Sequence, residues 1–213
     1  MLLLAIDTST PAVTAALHDG TRVLAESTGV DARRHGELLA PQVATVLQRG
    51  GAQAADLTDV AVGVGPGPFT GLRVGVVTAL TLGAALGIDV HGICSLDALA
   101  WASDVAGPFS VVTDARRHEV YWAAYTDRVT RSGHAAVDRP QDVCALLDRA
   151  AVIGPGAGLY GFADARPTQM SAAALAELAV HRLATGGELL AARPLYLRRP
   201  DATVPGARKK VLR

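Results

Sequence analysis

The sequence predicts an α/β protein of two related lobes, each built on a mixed sheet. Three observations point there. Short apolar runs of strand length alternate with longer segments of helical period along the chain. The first half reads β-β-β-α-β-α-β, a meander followed by helical crossovers, which puts antiparallel and parallel pairs in one sheet. The second half repeats part of the first. Leu3-Leu4-Ala5-Ile6-Asp7 followed by 13–17 is matched by Ser110-Val111-Val112-Thr113-Asp114 followed by 120–125. Each is a buried strand ending in Asp, a polar turn and a returning strand. That pattern is common, so the repeat alone leaves duplication and coincidence open. The expected division is 1–105 for the first lobe, 106–200 for the second and 201–213 for a basic tail.

Taken in order, residues 2–6 form a continuous apolar run that fits a buried central strand. Asp7-Thr8-Ser9-Thr10-Pro11 breaks it, and 13–17 is a second strand. Asp19-Gly20 is a hairpin signal, and 22–28 returns as a third. A helix is expected over 37–48, with Leu38, Leu39, Val43, Val46 and Leu47 apolar and Pro41 tolerated near its first turn. Residues 60–64 form a strand, Gly65-Pro66-Gly67-Pro68 a turn, 70–86 a long helix and 89–93 a fifth strand. Beyond the repeat, 151–153 is another strand, and helices are expected at 96–105, 141–149 and 172–185.

Composition narrows the function. The chain of 213 residues is 50% apolar but only 4% aromatic, so its core is made of Ala, Val and Leu. Twenty basic residues balance twenty acidic ones, which removes any overall drive toward nucleic acid or membrane. Cys94 and Cys144 are far apart and form no CxxC, which points to a reducing compartment. The apolar run at 2–6 has no basic residues before it and is too short for a signal peptide or a span. A cytoplasmic protein is expected. Arg198, Arg199, Arg208, Lys209, Lys210 and Arg213 face one acid, Asp201, near the C-terminus. This stretch reads as a solvated terminus or as an RNA-facing arm.

The helix over 70–86 is the most informative segment. From Val74 to Ile88 it carries no charge, so it lacks the polar face of an ordinary surface helix. It is too short and too rich in glycine for a membrane span. Gly71, Gly75, Ala79, Gly83 and Gly87 recur every four positions and form one stripe of small residues. Each glycine costs up to about 1 kcal/mol relative to Ala, tolerable where another backbone must approach closely. Leu72, Val74, Val76, Val77, Leu80, Leu82 and Leu86 occupy the other faces. One set covers the parent sheet. The other is covered by a second subunit or by the chain's own helices. Arg73 in the first turn opposes the helix dipole, which a carboxylate partner would offset, unless the guanidinium simply reaches water.

Catalytic patterns are missing. Asp7-Thr8-Ser9-Thr10 sits where nucleotide-binding hairpins use glycine to bring backbone N–H groups to phosphates, but here the turn has Pro11, no glycine and no nearby Lys. Asp7 is read as capping its own turn, with a magnesium-water role as the alternative. Gly65-Pro66-Gly67 lacks the P-loop pattern, and Gly154-Pro155-Gly156-Ala157-Gly158 reads as a plain turn or as a place where adenosine could approach. No two of the six histidines stand four apart, so no helical metal pair exists, and no GxSxG elbow is present. Arg33-Arg34-His35 with Glu37 is a polar cluster open to an anion, a partner carboxylate or water.

These segments together resemble the TsaB (YeaZ) family. The blocks Leu4-Ala5-Ile6-Asp7-Thr8-Ser9, Arg34-His35-Gly36-Glu37-Leu38-Leu39-Ala40-Pro41, Gly65-Pro66-Gly67-Pro68-Phe69-Thr70-Gly71-Leu72-Arg73-Val74-Gly75, Ser95-Leu96-Asp97-Ala98-Leu99-Ala100, Asp114-Ala115-Arg116-Arg117-His118-Glu119-Val120-Tyr121 and Pro194-Leu195-Tyr196-Leu197-Arg198 appear in order. The resemblance implies the two-lobed actin/Hsp70/sugar-kinase (ASKHA, ribonuclease H-like) fold. It also implies a non-catalytic part in forming N6-threonylcarbamoyladenosine at position 37 of tRNAs reading codons that begin with A. Its implied partners are a catalytic paralogue, TsaD, which carries the HxxxH metal pair, an ATPase, TsaE, tRNA through the complex, and a second copy when free.

No cofactor, metal or membrane contact is implied. The implied partner surface is the pair of helices starting near Glu37 and Thr70, with Leu38, Leu39, Gln42, Val46, Leu72, Arg73, Gly75, Val76, Ala79, Leu80 and Gly83 as its candidate residues. A vestigial nucleotide site would involve Asp7, Thr8, Ser9, Gly65, Gly67, Gly154 and Gly156. Pro68 stands where the family often has Ser, and the second-lobe glycine turn lacks the family's frequent acid. The alternative is an enzyme in its own right, an ASKHA-type ATP-binding protein or a glycoprotease-like metallopeptidase.

Overall fold

A computed structural model describes residues 1–147, 150–166 and 168–198. The candidate basic tail at 201–213 lies outside them. The first sheet holds β1 (Leu3–Asp7), β2 (Ala12–His18), β3 (Val23–Val30), β4 (Asp59–Gly63) and β5 (Asp89–Ile93) in the order β3-β2-β1-β4-β5. β1 pairs antiparallel with β2 and parallel with β4, and β4 pairs parallel with β5. The second sheet holds β6 (Phe109–Asp114), β7 (Val120–Tyr125), β8 (Arg131–Asp138), β9 (Ala151–Ile153) and β10 (Ala165–Arg166), ordered β10-β9-β6-β7-β8. β6 again pairs antiparallel with β7 and parallel with β9. The two sheets therefore share one plan, a three-strand meander whose first strand is extended by two parallel strands. Asp7 and Asp114 end the equivalent central strands.

Period-2 alternation in β1 sets the layers. Leu3 and Ala5 point to the side shared with the second lobe, while Leu4 and Ile6 point to the outer helices, and all four are fully buried. The outer layer is α1 (His35–Arg49) and α2 (Phe69–Leu86). Leu39 and Val46 anchor α1, each worth about 1.5–3 kcal/mol of burial. α4 (Pro140–Leu146) follows β8 in the chain, and the inner layer is α3 (Ser95–Trp101) and α5 (Ala172–Thr185), whose Leu96, Leu99, Leu175 and Leu178 meet Phe109, Val111 and Tyr125 of the second sheet in one core. α5 follows the second sheet in sequence yet packs on β1, β2 and β3. Its Ala172, Ala176 and Ala179 are fully buried, and these short side chains permit the close approach.

Residues 190–198 return across the first lobe. Leu190 exchanges backbone bonds with Gly92, and the Leu195 amide donates to the Val64 carbonyl at 2.8 Å. Among the elements that differ from the sequence expectation are α1, α3 and β8. α1 begins at His35, two residues early, because His35 is buried and its Nε2 lies 2.8 Å from the Thr10 carbonyl. α3 stops at Trp101, where the Ser103 amide donates to the Ala100 carbonyl at 3.0 Å in a tightened turn. β8 has no counterpart in the reading, since Arg-Ser-Gly-His is poor strand sequence. It is held as an edge strand by the ladder to β7 and by the Trp122 indole N–H donating to Asp138 at 2.8 Å.

Candidate functional site

The turn after β1 is a wedge beneath the start of α2. Asp7 is buried. Its Oδ1 accepts from the Ser9 amide and the Ser9 hydroxyl, both at 2.7 Å, and its Oδ2 accepts from the Ser95 hydroxyl at 2.6 Å. Burial pushes its carboxyl above the usual range, against the pull of those bonds. The Thr8 hydroxyl donates to the Gly71 carbonyl at 2.7 Å and accepts from the Gly75 amide at 3.1 Å. A Cβ at Gly75 would collide with that hydroxyl, and one at Gly71 would lie 2.6 Å from the Thr8 carbonyl oxygen. The Gly71 and Gly75 part of the small-residue stripe is therefore occupied by this chain's own loop.

Most of the candidate partner residues lie inside the fold of the chain itself. Leu39, Val46, Leu72, Gly75, Val76, Ala79 and Gly83 are buried in the lobe itself, Gly83 against Val90 of β5. Leu38 and Gln42 are half-buried, with the Gln42 side chain bonded to the Ser27 hydroxyl. Of the eleven residues named, Arg73 and Leu80 are the exposed ones.

The open face of α2 carries Phe69, Val77 and Leu80, which are 55%, 58% and 46% exposed. Tyr196 from the returning C-terminal segment, 47% exposed, stacks on Phe69 with ring centroids 5.5 Å apart. The Arg73 guanidinium lies 3.8 Å over the Phe69 ring, and its Nε donates to the Tyr196 hydroxyl at 3.3 Å. An aromatic ring and a phenol, and no carboxylate among the described residues, thus receive the Arg73 cation. Phe69 and Tyr196 lacked any local signal, since 127 positions separate them in the chain. Val77 stood only as one member of a set of apolar positions.

Beside this patch lies a hollow of about 610 Å³ lined by Arg73, Arg116, Tyr121, Tyr196 and Arg198 among others. Arg116, Arg117 and His118 have φ of 63°, 57° and 59° in succession. Three non-glycine residues in the left-handed region hold this turn in a costly conformation. The Arg116 amide bonded to Asp114 at 2.7 Å and the Arg198–Glu119 ion pair fix its two sides.

The turns after β1 and β6 face each other across a cleft of about 220 Å³ lined by Ser9, Thr10, Pro11, Pro68, Thr113, Asp114, Arg116, Pro155 and Leu159. This volume falls below the ~300–1,000 Å³ of ordinary ligand sites. Of the candidate nucleotide residues only Ser9 lines it. Asp7 and Thr8 are engaged as above. Gly65 bonds to Ser95, and Gly67 lies against the Ser9 backbone. Gly154 and Gly156 lie against the Val112 and Thr113 backbone. The Thr113 hydroxyl is buried without a hydrogen-bond partner among the described residues. No group of three or more metal-ligating side chains occurs among them.

Residues 22–158 match the family model described as TsaD, tRNA N6-adenosine threonylcarbamoyltransferase. An uncharacterized protein of Mycobacterium tuberculosis is 47% identical over 204 residues, covering 94% of this chain and 93% of that protein. The crystal structure of YeaZ from Pseudomonas aeruginosa superposes with a TM-score of 0.76 at 32% identity, over 92% of this chain and 99% of that one. The chain belongs to the TsaB (YeaZ) family. The Escherichia coli protein named tRNA threonylcarbamoyladenosine biosynthesis protein TsaB is 39% identical over 129 residues, 59% of this chain and 55% of its own length. In this TsaB-family chain the interlobe cleft is smaller than the hollow beside the α2 patch.

Proposed function

We propose that this chain serves tRNA threonylcarbamoyladenosine biosynthesis as a non-catalytic subunit that binds and supports a TsaD-like paralogue in the cytoplasm. Membership of the TsaB family supports the pathway, since the Escherichia coli and Bacillus subtilis relatives carry that role in their names. One observation carries the partner reading: α2 leaves Phe69, Val77 and Leu80 uncovered in a row continued by Tyr196 and Arg73. Aromatic rings and Arg are the side chains that most often dominate binding energy at protein interfaces. By length and apolarity alone α2 also qualifies as a membrane span. Its burial of Gly71, Gly75, Ala79 and Gly83 against its own lobe favours a sheet-covering helix with a protein partner outside.

The division into lobes at 1–105 and 106–200 belongs to the same proposal. So do docking of a TsaE-like ATPase, delivery of tRNA through the complex and self-pairing through the same face in the free form. The cationic hollow beside the patch favours an acidic or phosphate-bearing contact at its margin. The rival reading, an ATP-binding enzyme or metallopeptidase, finds less support. Both oxygens of Asp7 are engaged, and the cleft between the equivalent turns is small.

Titration of the purified chain with its TsaD-like paralogue tests the proposal. Saturable one-to-one binding that is lost in Val77→Glu and Leu80→Glu is expected. Unchanged binding in both variants would remove α2 from the interface. Micromolar ATP binding by the isolated chain would restore the enzymatic reading.

A further inference from the structure

We propose that the cavity between α3, the β7–β8 turn and the end of α5 binds a small oxyanion, a phosphate or carboxylate group. It lies apart from α2 and from the interlobe cleft. Asp97 of α3 forms its floor, with a side chain only 9% exposed. Its Oδ1 accepts from the Tyr125 hydroxyl at 2.8 Å and from Arg131 Nη1 at 3.1 Å, and its Oδ2 from Arg182 Nη2 at 2.8 Å. Two guanidinium ions on one carboxylate leave a net positive charge. Arg131 and Arg182 are 25% and 14% exposed, so solvent screens that charge poorly.

Both arginines line a cavity of about 520 Å³, together with Thr130, His134, His181 and Thr185. That size suits a small ligand. Glu188 also lines it, but on an exposed stretch, and it pairs with neither arginine. A guanidinium is a planar fork of five N–H donors that matches carboxylate and phosphate oxygens. The floor carboxylate holds the two forks in place. A bound oxyanion would balance the charge they leave, with Thr130 beside it.

Thermal unfolding of the full chain in inorganic phosphate, in citrate and in chloride at equal ionic strength tests this. A rise in Tm of about 2–4 °C with saturating phosphate or citrate over chloride is expected for a chain of this size. The larger of the two shifts identifies the preferred oxyanion. Arg131→Gln, the more exposed of the pair, should abolish the shift. Equal Tm in all three salts, or an undiminished shift in Arg131→Gln, would overturn the proposal and leave the cluster as an ion-pair bolt between lobes. Should Arg131→Gln not fold, calorimetric titration of the wild-type chain decides. Saturable heat with phosphate or citrate and none with chloride supports the site, and its absence overturns it.

Discussion

One hydroxyl, that of Thr8, decides how α2 is seated, because it bonds to Gly71 and Gly75 at once. Gly75→Val would push two methyl groups into it. A loss of about 1–3 kcal/mol in denaturant unfolding is expected from such overpacking, before any partner is added. Thr113 is the opposite case. Its buried hydroxyl has no described partner, and an unmade bond of this kind costs about 1–3 kcal/mol. Thr113→Val should therefore match or exceed the wild-type Tm. A lower Tm would mean that the hydroxyl is satisfied in solution.

The two thiols should also separate. Burial first, and then the neighbouring Asp97, push the Cys94 thiol up to about 12, whereas Cys144 is exposed. A thiol reagent at pH 8 should modify one cysteine in the native chain and two after unfolding. Asp7 gives a pH signature. Burial raises its carboxyl, so the folded state holds the proton more tightly than the unfolded state. Its contribution to stability is complete below the ordinary carboxylate range and is lost as pH rises through the raised value. Relative to wild type, Asp7→Asn should gain stability as pH rises above the ordinary carboxylate range, read from denaturant midpoints at each pH.

Elements differ in how far their sequence foretells them. The uncharged run of α2 announces two covered faces, and the four-residue spacing of Gly71, Gly75, Ala79 and Gly83 announces a close approach. Neither says what approaches. The structure puts the chain's own Thr8 and Val90 there, so the side proposed to face a partner is the opposite one. Periodicity finds an apolar stripe but carries no sign for inside or outside when both are apolar. Single substitutions now distinguish the faces. Val77→Glu and Leu80→Glu should leave stability within about 0.5 kcal/mol of wild type. They should weaken partner binding about 30-fold or more, the loss of a hot-spot residue. Gly75→Arg should instead prevent folding, so failure to bind in that variant says nothing of the interface. β8 shows the converse limit. Its residues have little strand preference, and pairing with β7 rather than local sequence makes it a strand.

For the whole molecule, the repeated strand–Asp–turn–strand pattern proved to be the trace of two sheets of one topology, visible because both central strands are buried and end in Asp. The crossing of α5 onto the first sheet and the meeting of Phe69 with Tyr196 were not legible. Contacts between residues so far apart leave no periodic mark. The architecture buries α3, α5 and the central strands of the two sheets, and it leaves Phe69, Val77 and Leu80 exposed on the outer face of α2, where the proposed assembly would form. The mass of the purified chain mixed with its TsaD-like paralogue, measured by light scattering on a sizing column, tests this most directly. A single species with the mass of both chains is predicted for wild type, and two separate species for Leu80→Glu. Separate species for wild type, at concentrations where each chain is folded, would contradict the account.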